Sequence, residues 1–357
     1  MKRLNIVFIA AHACIRVQKM AIPLLEAGHN VHLMAQKIPS FSEGYKSVHY
    51  YTDAGQLIEA IDLFEKSGKV DLYHCHNEPS WFVTLLKERT NKPVVLDVHD
   101  TFLTRSTPEE DDEANSKGKD DVRITVEERT NFQLADALVF VSETVKDITV
   151  EEFGLNQPNL VLPSYLPEAW YRYNFGRWLG GLVYEGKVIR QSELDNARAT
   201  GFHYCDYRDT ATQCKEIGMD FHLYAGGNEP EIQKMYEDTA ILHPGVPFRQ
   251  LIHDISRHDW GLVGNTLKSS QWDKTLPNKL FEYFGAGIPV VAINAKESSD
   301  IINQYEMGVT VDSIKELGSQ WKRHRELRAN VIKRRHEFAM ERHIPRLESF
   351  YGELVNG

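Results

Sequence analysis

The chain has 357 residues, 42% of them hydrophobic, enough for two domains with separate cores. No run approaches the roughly 18 apolar residues of a membrane span, and a net charge of −10 argues against a nucleic-acid binder. Four cysteines (Cys14, Cys75, Cys205, Cys214), with no Cys-x-x-Cys spacing, read as reduced cytosolic thiols rather than a disulfide frame.

The N-terminus, Met1 to Ala10, looks like a signal peptide only superficially; its short apolar run fits an opening strand, Leu4 to Ala10. A helix follows over Arg16 to Ala27, stopped at Gly28. Strands over Asn30 to Gln36 and Ser47 to Tyr51 come next, then a helix over Ala54 to Lys66. Val70 to His76 is a strand, Trp81 to Arg89 a helix, Pro93 to His99 a strand. Val122 to Leu134 reads as a helix, Ala137 to Val141 as a strand, and a helix runs to Phe153. Repeated strand–helix units predict a parallel, doubly wound sheet. Thr104 to Asp121 breaks the rhythm: it is long, charged and poor in apolar residues, either a plain disordered loop or a lid at a strand end.

Leu160 to Tyr173, with Pro163 and Pro167, reads as an interdomain connection. A second alternating series follows: strands at Leu182 to Tyr184, Asp220 to Tyr224 and Trp260 to Val263, with a helix near Tyr207 to Ile217. Then come Glu297 to Asn303 and Gly308 to Val311. Leu317 to Leu354 is helical in pattern, with a break expected near Pro345. Lys322 to Arg346 holds nine Lys or Arg against three acids, a net of +6 that leaves −16 for the remainder. That segment is either a solvated helix face or a surface for anionic lipid or phosphate.

The most informative stretch is Leu276 to Val291. Leu280, Phe281 and Phe284 sit at helical spacing, Gly285 or Gly287 supplies a left-handed stop, and Pro289 precedes the β-branched strand Val290 to Ile293. Asn278, Lys279 and Glu282 are its polar positions. Taken alone, Lys279 and Glu282 read equally well as a surface ion pair. The stretch Pro-Asn-Lys-Leu-Phe-Glu-Tyr-Phe-Gly-Ala-Gly-Ile-Pro-Val-Val resembles the donor-binding motif of GT-B glycosyltransferases of the family 4 type. The resemblance implies two Rossmann-like α/β domains facing across a cleft, with C-terminal helices crossing back. It divides the chain into an acceptor domain (1–165), a donor domain (166–335) and a returning helix (336–357). It also implies that Glu282 holds the ribose hydroxyls of a nucleotide sugar, a task that suits a carboxylate because it accepts from two vicinal hydroxyls at once.

Other segments fit the same family. Val95-Leu-Asp-Val-His-Asp-Thr101 ends a buried strand, and residues there are aimed at a ligand crevice. By resemblance His99 contacts the donor sugar, and Asp100 is a base or acceptor ligand; the alternative for Asp100 is a turn cap. His74 and His76 share a strand face. A metal site there needs a third ligand, which the sequence does not identify, so His74 is read as internal and His76, with Asn77, as bordering the acceptor. Leu182-Val-Tyr-Glu-Gly-Lys187 resembles the strand and loop that set a basic residue against the donor diphosphate, giving Lys187, with Arg190 nearby. The turn Tyr224 to Asn228, with Gly226, either approaches the nucleotide or merely joins strand to helix.

Two departures stand out. The glycines the family often has after the first strand are absent from Ala11 to Met20, where only Arg16-Val17 is similar. No dinucleotide fingerprint is present either, and Cys14 has no base near it in sequence. The family's second glutamate, eight residues before the ribose-binding one, is replaced by Lys274.

The expected function is a hexosyltransferase moving sugar from a UDP- or GDP-linked donor to a hydroxyl on a glycan or lipid-linked acceptor. Retention at the anomeric carbon is implied by the family. The protein is expected to be cytoplasmic and peripheral on the inner face of a membrane through 322–346, with no nucleic-acid partner. No metal or other cofactor is required if Lys187 and a helix N-terminus hold the diphosphate. The rivals are a sugar-nucleotide epimerase of the same fold and a non-catalytic sugar-nucleotide-binding partner.

Overall fold

A computed structural model describes residues 2–36, 44–76, 80–105, 119–194, 203–225 and 229–357. The chain forms two compact units. The first runs to Thr104, continues to Pro167 and takes in the terminal segment Met340–Gly357; the second spans Glu168–Ala339.

The first unit is built on seven strands: β1 (Asn5–Ala10), β2 (Asn30–Ala35), β3 (Ser47–Tyr50), β4 (Leu72–His76), β5 (Val94–Val98), β6 (Ala137–Phe140) and β7 (Asn159–Val161). They pair in parallel in the order β3-β2-β1-β4-β5-β6-β7. Helices cover both faces, so β4 and β5 are buried along their whole length and β1 from Ile6 onward, rather than on alternate residues. Val7 and Ile9 enter one core, Ile6 and Phe8 the other, as the two-residue strand period requires. β7 overlaps the start of the stretch expected to be a connection. It is a three-residue edge strand, too short for any periodicity, and it forms because β6 offers it a ladder.

The last helix, Met340–Asn356, belongs to this unit and packs on the helix Ile15–Glu26. Met340, Ile344, Leu347 and Tyr351, one helical stripe, join the core beside Met20 and Leu24. The predicted break at Pro345 is misplaced. The helix Leu317–Arg334 gives way to a 3₁₀ turn (Arg335–Phe338) and an extended Ala339, and the next helix runs through Pro345. Proline near a helix start costs one early backbone bond, whereas the extended residue redirects the whole chain.

The second unit has six parallel strands: β8 (Leu182–Glu185), β9 (Phe221–Tyr224), β10 (Ile241–Leu242), β11 (Trp260–Gly264), β12 (Val290–Ile293) and β13 (Gly308–Thr310). Their order is β10-β9-β8-β11-β12-β13. In both sheets the order reverses once, between β1 and β4 and between β8 and β11. Such reversals open a crevice at the carboxyl ends of the strands. The helix Asn278–Ala286 precedes β12 and stops at Gly287, whose φ of +79° suits glycine. Gly285, the other expected stop, stays helical; its carbonyl accepts from Arg172 N and Arg335 Nη1. Among the described residues no helix is long and apolar enough to cross a membrane.

Candidate active site

In the second unit, Glu185, Gly186 and Lys187 leave β8 at the reversal point. Lys187 is exposed. Lys279, in the first turn of the helix Asn278–Ala286, is half-buried, its Nζ 5.2 Å from the Tyr184 ring centroid and 5.1 Å from that of Trp272. Aromatic faces of this kind hold a cation without neutralising it. A Cβ added at Gly186 would lie 3.6 Å from that Nζ, so Lys279 reaches the loop that carries Lys187. Both ammonium groups act on the Cys205 thiol, which burial nevertheless pushes up to about 11.

Glu282, one turn beyond Lys279, is only 2% exposed. Its neighbour Tyr283 fixes the helix. The ring packs on β11 at Gly261, where an added Cβ would come within 2.3 Å. The Tyr283 hydroxyl accepts from Glu185 N and donates to Val183 O, each at 3.3 Å. One tyrosine thus ties the Glu282 helix to β8.

Arg190 is exposed and paired with Glu229 (Nη2 to Oε1, 2.7 Å), with Glu193 at 3.7 Å. Gly226 lies outside the described residues. Lys274 ends the short helix Ser270–Lys274. The loop before it hangs on Asn265, which is buried and donates to Tyr204 O and Asp206 O, each at 2.8 Å. Sequence reading missed that anchor, because its partners lie some sixty residues away.

In the first unit the reversal point is organised by Asp97, a residue the sequence reading passed over. It is fully buried on β5, opposite His76 of β4 in register. Arg16 donates to both its oxygens (Nε to Oδ2, 2.8 Å; Nη2 to Oδ1, 2.7 Å). His76 Nδ1 lies 3.1 Å and His99 Nε2 2.8 Å from Oδ2. Burial pushes the Asp97 carboxyl up, but Arg16 and His99 outweigh it and hold it well below the usual range. Burial pushes His99 down, but Asp97 and Cys14 lift it to about 9, so it is cationic at neutral pH. Burial raises the Cys14 thiol, and the hydrogen-bonded His99 brings it below its ordinary value. Cys14 therefore does have an imidazole beside it, supplied from the end of β5 rather than from nearby sequence. Asp100 follows His99, half-buried. Asn77 lies outside the described residues.

His74 is wholly buried, its Nδ1 2.5 Å from the Tyr351 hydroxyl and its ring stacked on His76 at 4.3 Å. Asp97 supplies the third ligand type missing from the sequence reading, since His74, His76 and Asp97 have candidate ligand atoms within 4.8 Å. The arrangement nevertheless fits a metal poorly: the bidentate guanidinium of Arg16 occupies the carboxylate and sets a positive charge where an ion would sit.

The basic segment is not one solvated face. Arg335 is buried against Tyr171 and Tyr173 and donates to Arg172 O and Gly285 O. Arg328 stacks on Phe175 and Trp178 and donates to Ser256 O and His258 O. Lys322, Arg323, Arg325 and Lys333 remain exposed.

Two parallel α/β units, each with polar residues gathered where its strand order reverses, are the architecture of GT-B glycosyltransferases. The family model "Glycosyltransferase Family 4" matches residues 15–163, and "Glucosyltransferase 3-like, C-terminal domain" matches 203–339. Residues 15–163 thus form a glycosyltransferase family 4 domain, and residues 203–339 a C-terminal domain of the glucosyltransferase 3-like kind. Among solved structures it is similar to a sucrose-phosphate synthase from Thermosynechococcus elongatus (TM-score 0.73, 14% identity, 99% of this chain and 100% of that one). It is also similar to Anabaena Alr3699/HepE in complex with UDP and glucose (0.66, 11% identity, 97% and 100%). WaaG, a glycosyltransferase involved in lipopolysaccharide biosynthesis, is a third (0.60, 10% identity, 98% and 100%). These likenesses establish the GT-B fold. No curated protein matches the chain in sequence.

Proposed function

We propose that the chain transfers a hexose, with retention, from a nucleoside-diphosphate sugar to a hydroxyl of a glycan or lipid-linked acceptor. What supports this reading is that Lys187 leaves β8 at a reversal point of the second sheet, that Lys279 reaches the same loop, and that Glu282 is buried one turn further along the Lys279 helix. Glu282 accepts from the two ribose hydroxyls. Lys187 and Lys279 neutralise the diphosphate as it departs. Arg190 already has Glu229 as its counter-ion, so the two lysines supply most of that charge. UDP is the first nucleotide to try, since the Anabaena relative is described with UDP and glucose and the C-terminal domain is of a glucosyltransferase type.

In the transfer, the bond from the anomeric carbon to the β-phosphate oxygen breaks and a bond to the acceptor oxygen forms on the same face. The acceptor proton passes to the departing phosphate. On the first unit, cationic His99, held by Asp97 and Cys14, attracts a ligand hydroxyl or phosphate oxygen by its charge. Asp100 beside it, half-buried, accepts a hydrogen bond from a ligand hydroxyl; His76, expected to border the acceptor, is instead wholly buried against Asp97 and supports the site from behind. Exposed Lys322, Arg323 and Arg325 support attraction to an anionic membrane surface, which co-sedimentation with phosphatidylserine vesicles at low and high salt would test.

The test is thermal stability with UDP, GDP, ADP or dTDP, for wild type, Glu282→Ala and the isosteric Glu282→Gln. One nucleotide at a hundredfold excess over its Kd stabilises wild type by about 2.7 kcal/mol, and neither variant, although folded, responds. No response from wild type to any nucleotide would overturn the reading, and a response without turnover of the matching nucleotide sugar would replace it with the non-catalytic sugar-nucleotide-binding partner. Conversion of the matching nucleotide sugar to an epimer without an acceptor would replace it with the epimerase.

A further inference from the structure

Away from these residues, the second unit brings three imidazoles together. His222 lies on β9, on the face opposite core residues Phe221 and Leu223; His243 follows β10; His258 precedes β11. One candidate ligand atom of each lies within 4.8 Å of the others. His222 Nδ1 is 2.9 Å from His243 Nε2. His258 Nδ1 is 2.8 Å from Gly180 O, and its Nε2 is 3.3 Å from the Tyr224 hydroxyl. The His243 ring stacks on Tyr224 at 4.1 Å.

Two features are out of place in an ordinary core. His222 is 3% exposed, yet its Nε2 has no hydrogen-bond partner. Among the described residues no carboxylate hydrogen-bonds any of the three rings, although buried histidine commonly takes one. The charged groups acting on them are more distant: Asp220 on His222, and Asp254 and Arg257 on His243. We propose that His222, His243 and His258 form a binding site for a single transition-metal ion of the zinc type, held by three imidazole nitrogens, with its fourth position beside Tyr224.

The chemistry of the donor set agrees. Nitrogen-only ligands suit zinc, copper, nickel or cobalt and not calcium or magnesium, which take oxygen. The Gly180 carbonyl can accept only from a protonated Nδ1, so His258 presents an Nε2 lone pair; a carbonyl behind a ligating imidazole is the usual orienting contact. With bonds of about 2.0–2.1 Å, tetrahedral zinc sets its nitrogens about 3.4 Å apart. The three candidate ligand atoms lie within 4.8 Å of one another, a spacing that small side-chain movements bring to that value. His243 is half-buried and gives the ion access. A bound ion would cross-link the segments at β9, β10 and β11, a structural task separate from donor binding.

The test is titration of the chelator-treated full chain with Co²⁺, read by visible absorption. The expected result is one equivalent giving the intense bands of four-coordinate cobalt, displaced by Zn²⁺, with a rise in thermal midpoint that Mg²⁺ does not produce. His243→Gln, at a half-exposed position that tolerates substitution, abolishes both signals while its circular dichroism matches wild type. Absence of the bands in wild type would overturn the proposal, and so would undiminished bands in His243→Gln.

Discussion

Asp97 is buried among Arg16, His76 and His99, and its charge offsets those of Arg16 and His99. Arg16 is 1% exposed, so neutralising its partner leaves a guanidinium with no counter-ion in the interior. Asp97→Asn should cost about 3–5 kcal/mol, the usual penalty for removing one member of a buried pair, read as a lower urea midpoint. His99 gives a signed pH dependence. Its folded value of about 9 lies above the ordinary 6.5, and its side chain is 15% exposed. The stabilisation is therefore complete below about pH 6.5 and is lost as pH rises through about 9, in all about 3 kcal/mol. Stability against urea across that window should fall in wild type and stay nearly flat in His99→Gln. At the acid end Asp97 behaves oppositely: its contribution is present above about pH 4 and is lost as pH falls through its depressed value.

The helix Asn278–Ala286 matters less for its own stability than for where it holds Glu282, and Tyr283 sets that position against Gly261. Gly261→Ala drives a methyl into the Tyr283 ring, since the new Cβ would meet it at 2.3 Å, and the helix must move. About 1–3 kcal/mol of overpacking is expected in chemical denaturation, with weaker nucleotide binding in the folded fraction. Tyr283→Phe keeps the ring and removes only the hydroxyl that bridges Glu185 N and Val183 O, so it should be the milder change in both measurements. This element was legible in sequence because its cues are local: apolar spacing, a terminal glycine, a proline and a β-branched strand. β7 and β10, three and two residues long, were not legible because they exist only by pairing with a neighbour. Asp97 was hidden for a related reason. An acid in a valine-rich strand reveals its burial, but its partners come from a helix some eighty residues earlier and from the preceding strand. The histidine cluster, drawn from three separate segments, left no local spacing to read.

At the scale of the molecule the chain visits its first unit twice, and the second visit is structural. Residues after Met340 are the last in sequence, yet they complete the core laid down by the first strands. Leu347 is fully buried there with Met20, Leu24 and Tyr351, while the second unit keeps a separate core around Tyr184, Leu223 and Leu262. Leu347→Ala removes buried methyl groups from the first core only, at about 2–5 kcal/mol. Hydrogen exchange should therefore quicken in β1, β2 and β4, while β8, β11 and β12 keep wild-type protection. A terminal tail that merely decorated the surface would leave all six strands unchanged. Equal loss in both sheets would mean that the two cores unfold as one cooperative body. Selective loss in the first sheet, together with a wild-type thermal response to the matching nucleotide, would place the donor site in a unit whose integrity does not depend on the returning helix.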